Sequence, residues 1–225
     1  VRNFSIQLHR GEILGFGGLS ECGMHEVGRM VFGLDKTITG EIEYMPTHKK
    51  IKSVLDAISL KIGYVSKDRD NESLILNASI QDNTLMAAYR KLSKLGFISP
   101  RAEKKLSDRQ IEAMRTKCLS GKQYVNQLSG GNKQKVAFSK WVAAGSEAYI
   151  LDEPTRGIDI GVKAAMYDLI YRFKQEGKAI IMISEELPEL IGMSDRMIIM
   201  KDGAVAAEVM RGKDVRDTQL IEYMV

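Results

Sequence analysis

Leu128-Ser129-Gly130-Gly131-Asn132-Lys133-Gln134-Lys135-Val136, followed by Tyr149-Ile150-Leu151-Asp152-Glu153-Pro154-Thr155, decides how this chain of 225 residues is read. The first stretch sets a hydroxyl and two glycines directly before a helical pattern. The first N–H groups of that helix then point out of the turn, at the positive end of its dipole, and the glycines let another group come close. Ser129 also reads as the N-cap of the same helix. The second stretch is apolar and ends in two adjacent carboxylates. Strand-end acids without chemistry to do are uncommon, so Asp152 and Glu153 read as site residues.

Moving toward the N-terminus, Ile13 to Phe16 is an apolar run that leads into glycines, and Met24 to Phe32 has helical character. A strand, a glycine loop and a helix in that order form a phosphate cradle when the loop reads G-x-x-x-x-G-K-[ST], because backbone N–H groups and Lys meet phosphate oxygens and the hydroxyl holds Mg²⁺. Here the stretch is Gly18-Leu19-Ser20-Glu21-Cys22-Gly23-Met24-His25. Gly18 and Gly23 keep the pattern. Met24 stands at the Lys position, which removes a charge-assisted contact of about 1.5 to 3 kcal/mol. His25 stands at the Mg²⁺-ligand position, where imidazole is a poor substitute for hard oxygen. Glu21 brings a carboxylate into the loop; two like charges ~4 Å apart repel by roughly 4 kcal/mol at an effective dielectric near 20, a ceiling that falls if the side chain turns away. The loop therefore reads either as a turn without ligand or as a weak, non-hydrolysing nucleotide site. The near-match Gly15-x-Gly17-x-x-Ser20 to a dinucleotide fingerprint lacks its third glycine and leaves Leu128 to Val136 unexplained.

Composition narrows the field. Thirty-three basic against 29 acidic residues give a net charge of +4, and the basic residues are scattered, so nucleic acid is not expected as a partner. The run Lys49, Lys50, Lys52 reads as a solvated loop. Cys22 and Cys118 are far apart, and His9, His25 and His48 show no metal-ligand spacing, which fits a reducing compartment. Apolar runs such as Ala179 to Ile183 are far shorter than the ~20 residues that span a bilayer. Val1 leads straight into a strand-like pattern without a signal peptide, so a piece of a longer polypeptide is expected.

Along the chain, Phe4 to Leu8, Ile13 to Phe16, Gly40 to Tyr44, Lys61 to Val65, Ala148 to Leu151, Ala179 to Ile183 and Met197 to Met200 read as strands. Helices are expected at Met24 to Phe32, Ile51 to Ile58, Val162 to Lys174 and near Leu187 to Ile191. From Ser79 to about Leu119 long helices are expected, with Pro100 just inside a start and Ala102, Leu106, Met114 and Cys118 at helical spacing. Strands alternating with helices imply a mostly parallel sheet covered on both faces.

Together these motifs resemble the ATPase domains of ABC transporters, whose signature loop reads LSGGQ and whose Walker B strand ends in Asp-Glu. Asn132 after Leu128 to Gly131, Glu153 to Asp159, Ser184-Glu185-Glu186-Leu187-Pro188-Glu189 and Ser194-Asp195-Arg196 resemble the second ATP-binding domain of tandem carbohydrate importers of the ribose/galactose/xylose type. The resemblance covers Gly11 to Gly203. It implies an α/β P-loop NTPase of ABC-ATPase fold: a mostly parallel sheet flanked by helices, a helical signature subdomain at about 79–145 inserted between two parts of the core, and a small antiparallel β portion, all in one domain over 1–225.

The same resemblance implies roles. Ser129, Gly130, Gly131 and Gln134 would meet the nucleotide of a partner domain in trans, with ATP and Mg at that composite site. Asp152 would hold Mg and Glu153 would orient water. Glu185 stands where the family has its switch His, Lys67 near its Q-loop Gln, and Asp159 at its D-loop aspartate. Gly18, Glu21, Gly23, Met24 and His25 form the degenerate loop. The implied partners are an upstream ABC ATPase domain in the same polypeptide, membrane-spanning permease subunits and, indirectly, a periplasmic or lipid-anchored sugar-binding protein, at the cytoplasmic face of the membrane. A regulatory module of the same fold without turnover is the alternative. A chromosome-maintenance or translation protein ranks last, for want of a heptad insertion between Gly23 and Leu128 or a basic arm.

Overall fold

The computed structural model describes residues 1–2, 4–37, 39–93, 95–212 and 215–225. The chain forms two compact units, one of Val1–Tyr64, Glu147–Pro154 and Ala164–Val225, the other of Val65–Ser146 and Thr155–Lys163.

The first unit is built on β1 (Ile13–Gly18), which feeds α1 (Met24–Phe32), the two-residue antiparallel pair β2 (Glu43–Tyr44) and β3 (Lys49–Lys50), α2 (Val54–Ser59) and β4 (Ile62–Val65). The second unit carries α3 (Ile80–Leu85), α4 (Tyr89–Leu92), α5 (Pro100–Ala113) and α6 (Gly130–Ala144). The chain then returns through β5 (Ala148–Asp152), α7 (Ile160–Gln175), β6 (Ala179–Ile183), α8 (Leu187–Met193), β7 (Arg196–Lys201), β8 (Ala204–Met210) and α9 (Asp217–Met224). Six strands lie in the order β4-β5-β6-β1-β7-β8; β1 pairs in parallel with β6 and β7, β5 with β6, and only β8 on β7 is shown antiparallel.

Sequence pattern explains why β1 sits at the centre. Leu14 and Phe16 are fully buried on one face, and Gly15 and Gly17 lie on the other. A Cβ at Gly15 would fall 2.2 Å from Ser194 Oγ, and one at Gly17 2.6 Å from a Leu190 methyl, so α8 rests directly on the strand's backbone. These glycines make room for a helix, which accounts for the dinucleotide-like spacing. Burying Ile180, Ile181, Met182 and Ile183 on β6 and Ile198, Ile199 and Met200 on β7 makes near-continuous apolar strands, as sheets covered on both faces require.

Several expected elements differ. Phe4 to Leu8 forms no strand; Phe4 instead sets its ring 5.9 Å from that of Phe16. The expected Gly40 to Tyr44 strand shrinks to its last two residues, and α2 starts at Val54 because Ser53 caps it through the Asp56 N–H. The long helices expected from Ser79 are three separate ones: a Ser79–Asp82 capping box opens α3, Pro100 opens α5, and α5 stops at Ala113, before Cys118. The β7–β8 hairpin was not anticipated, although Asp202-Gly203, with φ of 49° and 78°, is the sequence that mirror-image hairpin turns demand.

Candidate functional site

Parallel pairing of β1, β6 and β5 brings three strand ends to one edge of the sheet, where ligands of open α/β sheets bind. After β1, Gly18 is buried, Glu21 is exposed, and Gly23 takes φ 96° as it hands over to α1. Met24, at the first position of α1, has 0% exposure and belongs to the core. His25 is 4% exposed and turns toward the end of β5, where its Nδ1 lies 2.6 Å from Asp152 Oδ1. A carboxylate only accepts, so Nδ1 carries a hydrogen. Tyr64 donates its hydroxyl to the other Asp152 oxygen at 3.0 Å. Both oxygens of Asp152 are therefore engaged by protein.

Glu153 has the left-handed backbone, φ 51°, costly for a non-glycine residue, and accepts the Glu185 N–H at 2.6 Å. Burial pushes its carboxyl up to about 7; the Glu185 N–H opposes that shift, the charges of Glu185 and Glu189 add to it, and His25 counters it. Glu185 follows β6 with its side chain 39% exposed and its Oε1 3.5 Å from His25 Nε2. Donor atoms of His25, Glu153 and Glu185 all lie within 4.8 Å of one another.

In the second unit, Ser129 occupies the N-cap position of α6, is exposed, and accepts no hydrogen bond from the helix's own N–H groups. The expectation that it caps α6 is thus corrected: its Oγ instead accepts from Asn132 Nδ2 at 3.0 Å, while Asn132 Oδ1 accepts the Lys117 N–H at 2.9 Å. Gly130 is tightly seated, since a Cβ there would lie 3.0 Å from Arg69 Nη2 and 3.2 Å from Gly157 O; at Gly131 it would meet Val162 at 2.9 Å. Gln134, grouped with this loop in the sequence reading, points inward at 2% exposure, its amide oxygen 3.5 Å from Arg69 Nη1. It supports the loop rather than presenting itself to a ligand. Arg69, which sequence reasoning passed over, also donates to Arg156 O at 2.9 Å, and Lys133 pairs with Asp70 at 2.7 Å. Lys67 is exposed; Asp159 is exposed and accepts the Val162 N–H at 3.0 Å at the start of α7.

A model of the family described as ABC transporter matches residues 1–156. The chain belongs to the ABC transporter family. Among its relatives, the ribose import ATP-binding protein RbsA 3 of Rubrobacter xylanophilus is 40% identical over 211 residues, covering 94% of this chain and 42% of that protein. The ribose import ATP-binding protein RbsA of Bacillus cereus is 38% identical over 212 residues, again 94% and 42%. The chain thus spans about two fifths of the length of the curated relatives it matches. The dimeric, post-hydrolysis ATP-binding cassette MJ0796 bound to ADP and Pi superposes with a TM-score of 0.81 at 22% identity, over 94% of this chain and 90% of that one, which places the fold.

ABC-family membership makes the fit of ATP and Mg²⁺ at this chain's own loop a direct question. They do not fit. The loop's cation position is filled by an apolar side chain without exposure, and Asp152 spends its oxygens on His25 and Tyr64. An imidazole, as at His25, is a poorer donor than a hydroxyl for an ion that prefers hard oxygen.

Proposed function

We propose that this chain is an ATP-binding domain of an ABC-type sugar importer, a single domain over 1–225 with a helical subdomain near 79–145. In this reading it is the second of two such domains in one polypeptide, and it supplies Ser129, Gly130 and Gly131 to an ATP–Mg site on the upstream domain. Its own loop, Gly18 to His25, does not turn over nucleotide.

What carries this reading is a contrast: an exposed Ser129 that leaves its own helix uncapped, against a buried Met24 at the place of the phosphate-binding cation. First-turn N–H groups of a 15-residue helix have no acceptor within the helix, so they and the hydroxyl are available to an anion held by another domain. The names of the relatives support ribose import as the transport task. Their length, more than twice that matched, leaves room for a preceding domain. The permease is engaged through exposed loop residues such as Lys67, the sugar-binding protein only through the permease, and Asp159 faces the partner domain. Such a domain works at the cytoplasmic face of the membrane, with no nucleic acid involved.

The test is ATP turnover of the full-length protein with its permease. Ser129→Arg is expected to reduce the rate at least about 100-fold, the scale of losing transition-state donors, whereas the volume-conserving Met24→Leu leaves it within about twofold. Equal losses would count against the reading. Indifference to both would favour a regulatory module without turnover.

A further inference from the structure

We propose that His25, Glu153 and Glu185 form a binding site for a divalent first-row transition ion such as Zn²⁺ or Co²⁺, taken without nucleotide at the edge where β1, β5 and β6 end. It stands whether or not the signature-loop reading does, since every residue involved belongs to the first unit.

Three observations carry it. The donor set, one imidazole nitrogen and two carboxylates within 4.8 Å of one another, suits zinc-like ions and not Mg²⁺. The 3.5 Å between His25 Nε2 and Glu185 Oε1 is the separation of two ligands on one ion, because donors at about 2.1 Å in tetrahedral array stand about 3.4 Å apart. Most telling is what stands behind the imidazole. His25 directs Nδ1 at Asp152, and Tyr64 holds Asp152 from the far side, at 2.6 and 3.0 Å. A carboxylate on the remote nitrogen of a ligating histidine, itself fixed by a further hydrogen bond, is the recurring outer shell of zinc sites; it sets the tautomer and aims Nε2 at the ion.

Electrostatics points the same way. The carboxylates of Glu153 and Glu185 converge on His25 Nε2, so a cation shared between the ring and these groups is favoured there. Glu185, at 39% side-chain exposure, gives the ion a way in and can swing to close the remaining distance. Asp152 thereby becomes a positioning residue. The ion would hold the three strand ends together where a triphosphate is not accommodated.

The chain, stripped with a chelator, is titrated with Co²⁺ and followed by its visible absorption, then with Zn²⁺ by calorimetry. One Co²⁺ per chain is expected, with the intense bands of a four- or five-coordinate ion, displaced by Zn²⁺ and untouched by millimolar Mg²⁺. Glu185→Gln, a half-exposed position that folding tolerates, is expected to weaken binding at least about 100-fold, and Tyr64→Phe about 10- to 100-fold with the spectrum retained. His48→Ala, remote from the cluster, leaves both unchanged. Absence of the Co²⁺ bands would mean that a proton on Nε2 is the only cation there and would overturn the site. Persistence of the bands in Glu185→Gln, or displacement by Mg²⁺, would overturn it equally.

Discussion

The two glycine loops of this chain start as near equals, each a turn that opens a helix, and end as opposites. After the loop before α1, Met24 is buried in the core and His25 is tied to Asp152. The loop before α6 stays open, with Ser129 exposed and its hydroxyl steadied by Asn132 instead of spent on the helix. A helix N-terminus attracts anions only if its donors remain unclaimed and no apolar side chain seals the approach.

The units also cohere by different means. The first is stacked from apolar strands, whereas α6 buries Lys135 and Lys140, whose Nζ atoms donate to Arg115 O and Ser73 O at 2.9 and 2.8 Å. Each buried ammonium is thus hydrogen-bonded to a backbone carbonyl, since a buried charge left unpaired is far more costly.

The largest expected effect, the loss of turnover in Ser129→Arg with Met24→Leu left active, would break the contrast outright if it failed. Next is an attempt to reopen the closed loop. Met24→Lys puts an ammonium at a site with no exposure, so it is expected to lower stability by several kcal/mol, about 3 or more, without restoring Mg²⁺-dependent ATP binding. Thermal melting together with nucleotide titration decides it, and a stable variant that binds MgATP would end the idea of a sealed loop.

A smaller effect of similar kind is pH-linked. Burial lowers the Lys140 pKa from 10.5 to about 8. Between those values the unfolded chain holds a proton that the native state has released, so stability rises with pH from about 8 to 10.5, by roughly 3 kcal/mol. Denaturant unfolding across that range should show the rise in the parent and a flatter profile in Lys140→Met. Smallest is Gly15→Ala, which drives a methyl into Ser194 and Leu190; a loss of about 1–3 kcal/mol is expected from urea midpoints. An unchanged midpoint would show that α8 yields easily.

Much of the architecture was legible in local pattern. Met24–Phe32 was delimited to the residue by its apolar period and flanking glycines, and Ala148, Ala179 and the run at Met197 each mark a strand of the sheet. Failures fell where partners decide: Phe4 to Leu8 alternates like a strand but joins no sheet, and β8 pairs through a two-residue turn whose signal was overlooked. At the site, sequence marked His25, Asp152, Glu153 and Glu185 one by one, but not that His25 turns its Nδ1 to Asp152.

By itself, then, the sequence determined the family and most of the strands and helices, because periodicity and turn chemistry act over a few residues. Only the tertiary structure decided that His25 answers Asp152, 127 positions away, and that Tyr64 completes the chain from 88 positions away. Strand order put them together: β6 enters between β1 and β5, so three strand ends meet at one edge, and no local pattern encodes which strands become neighbours.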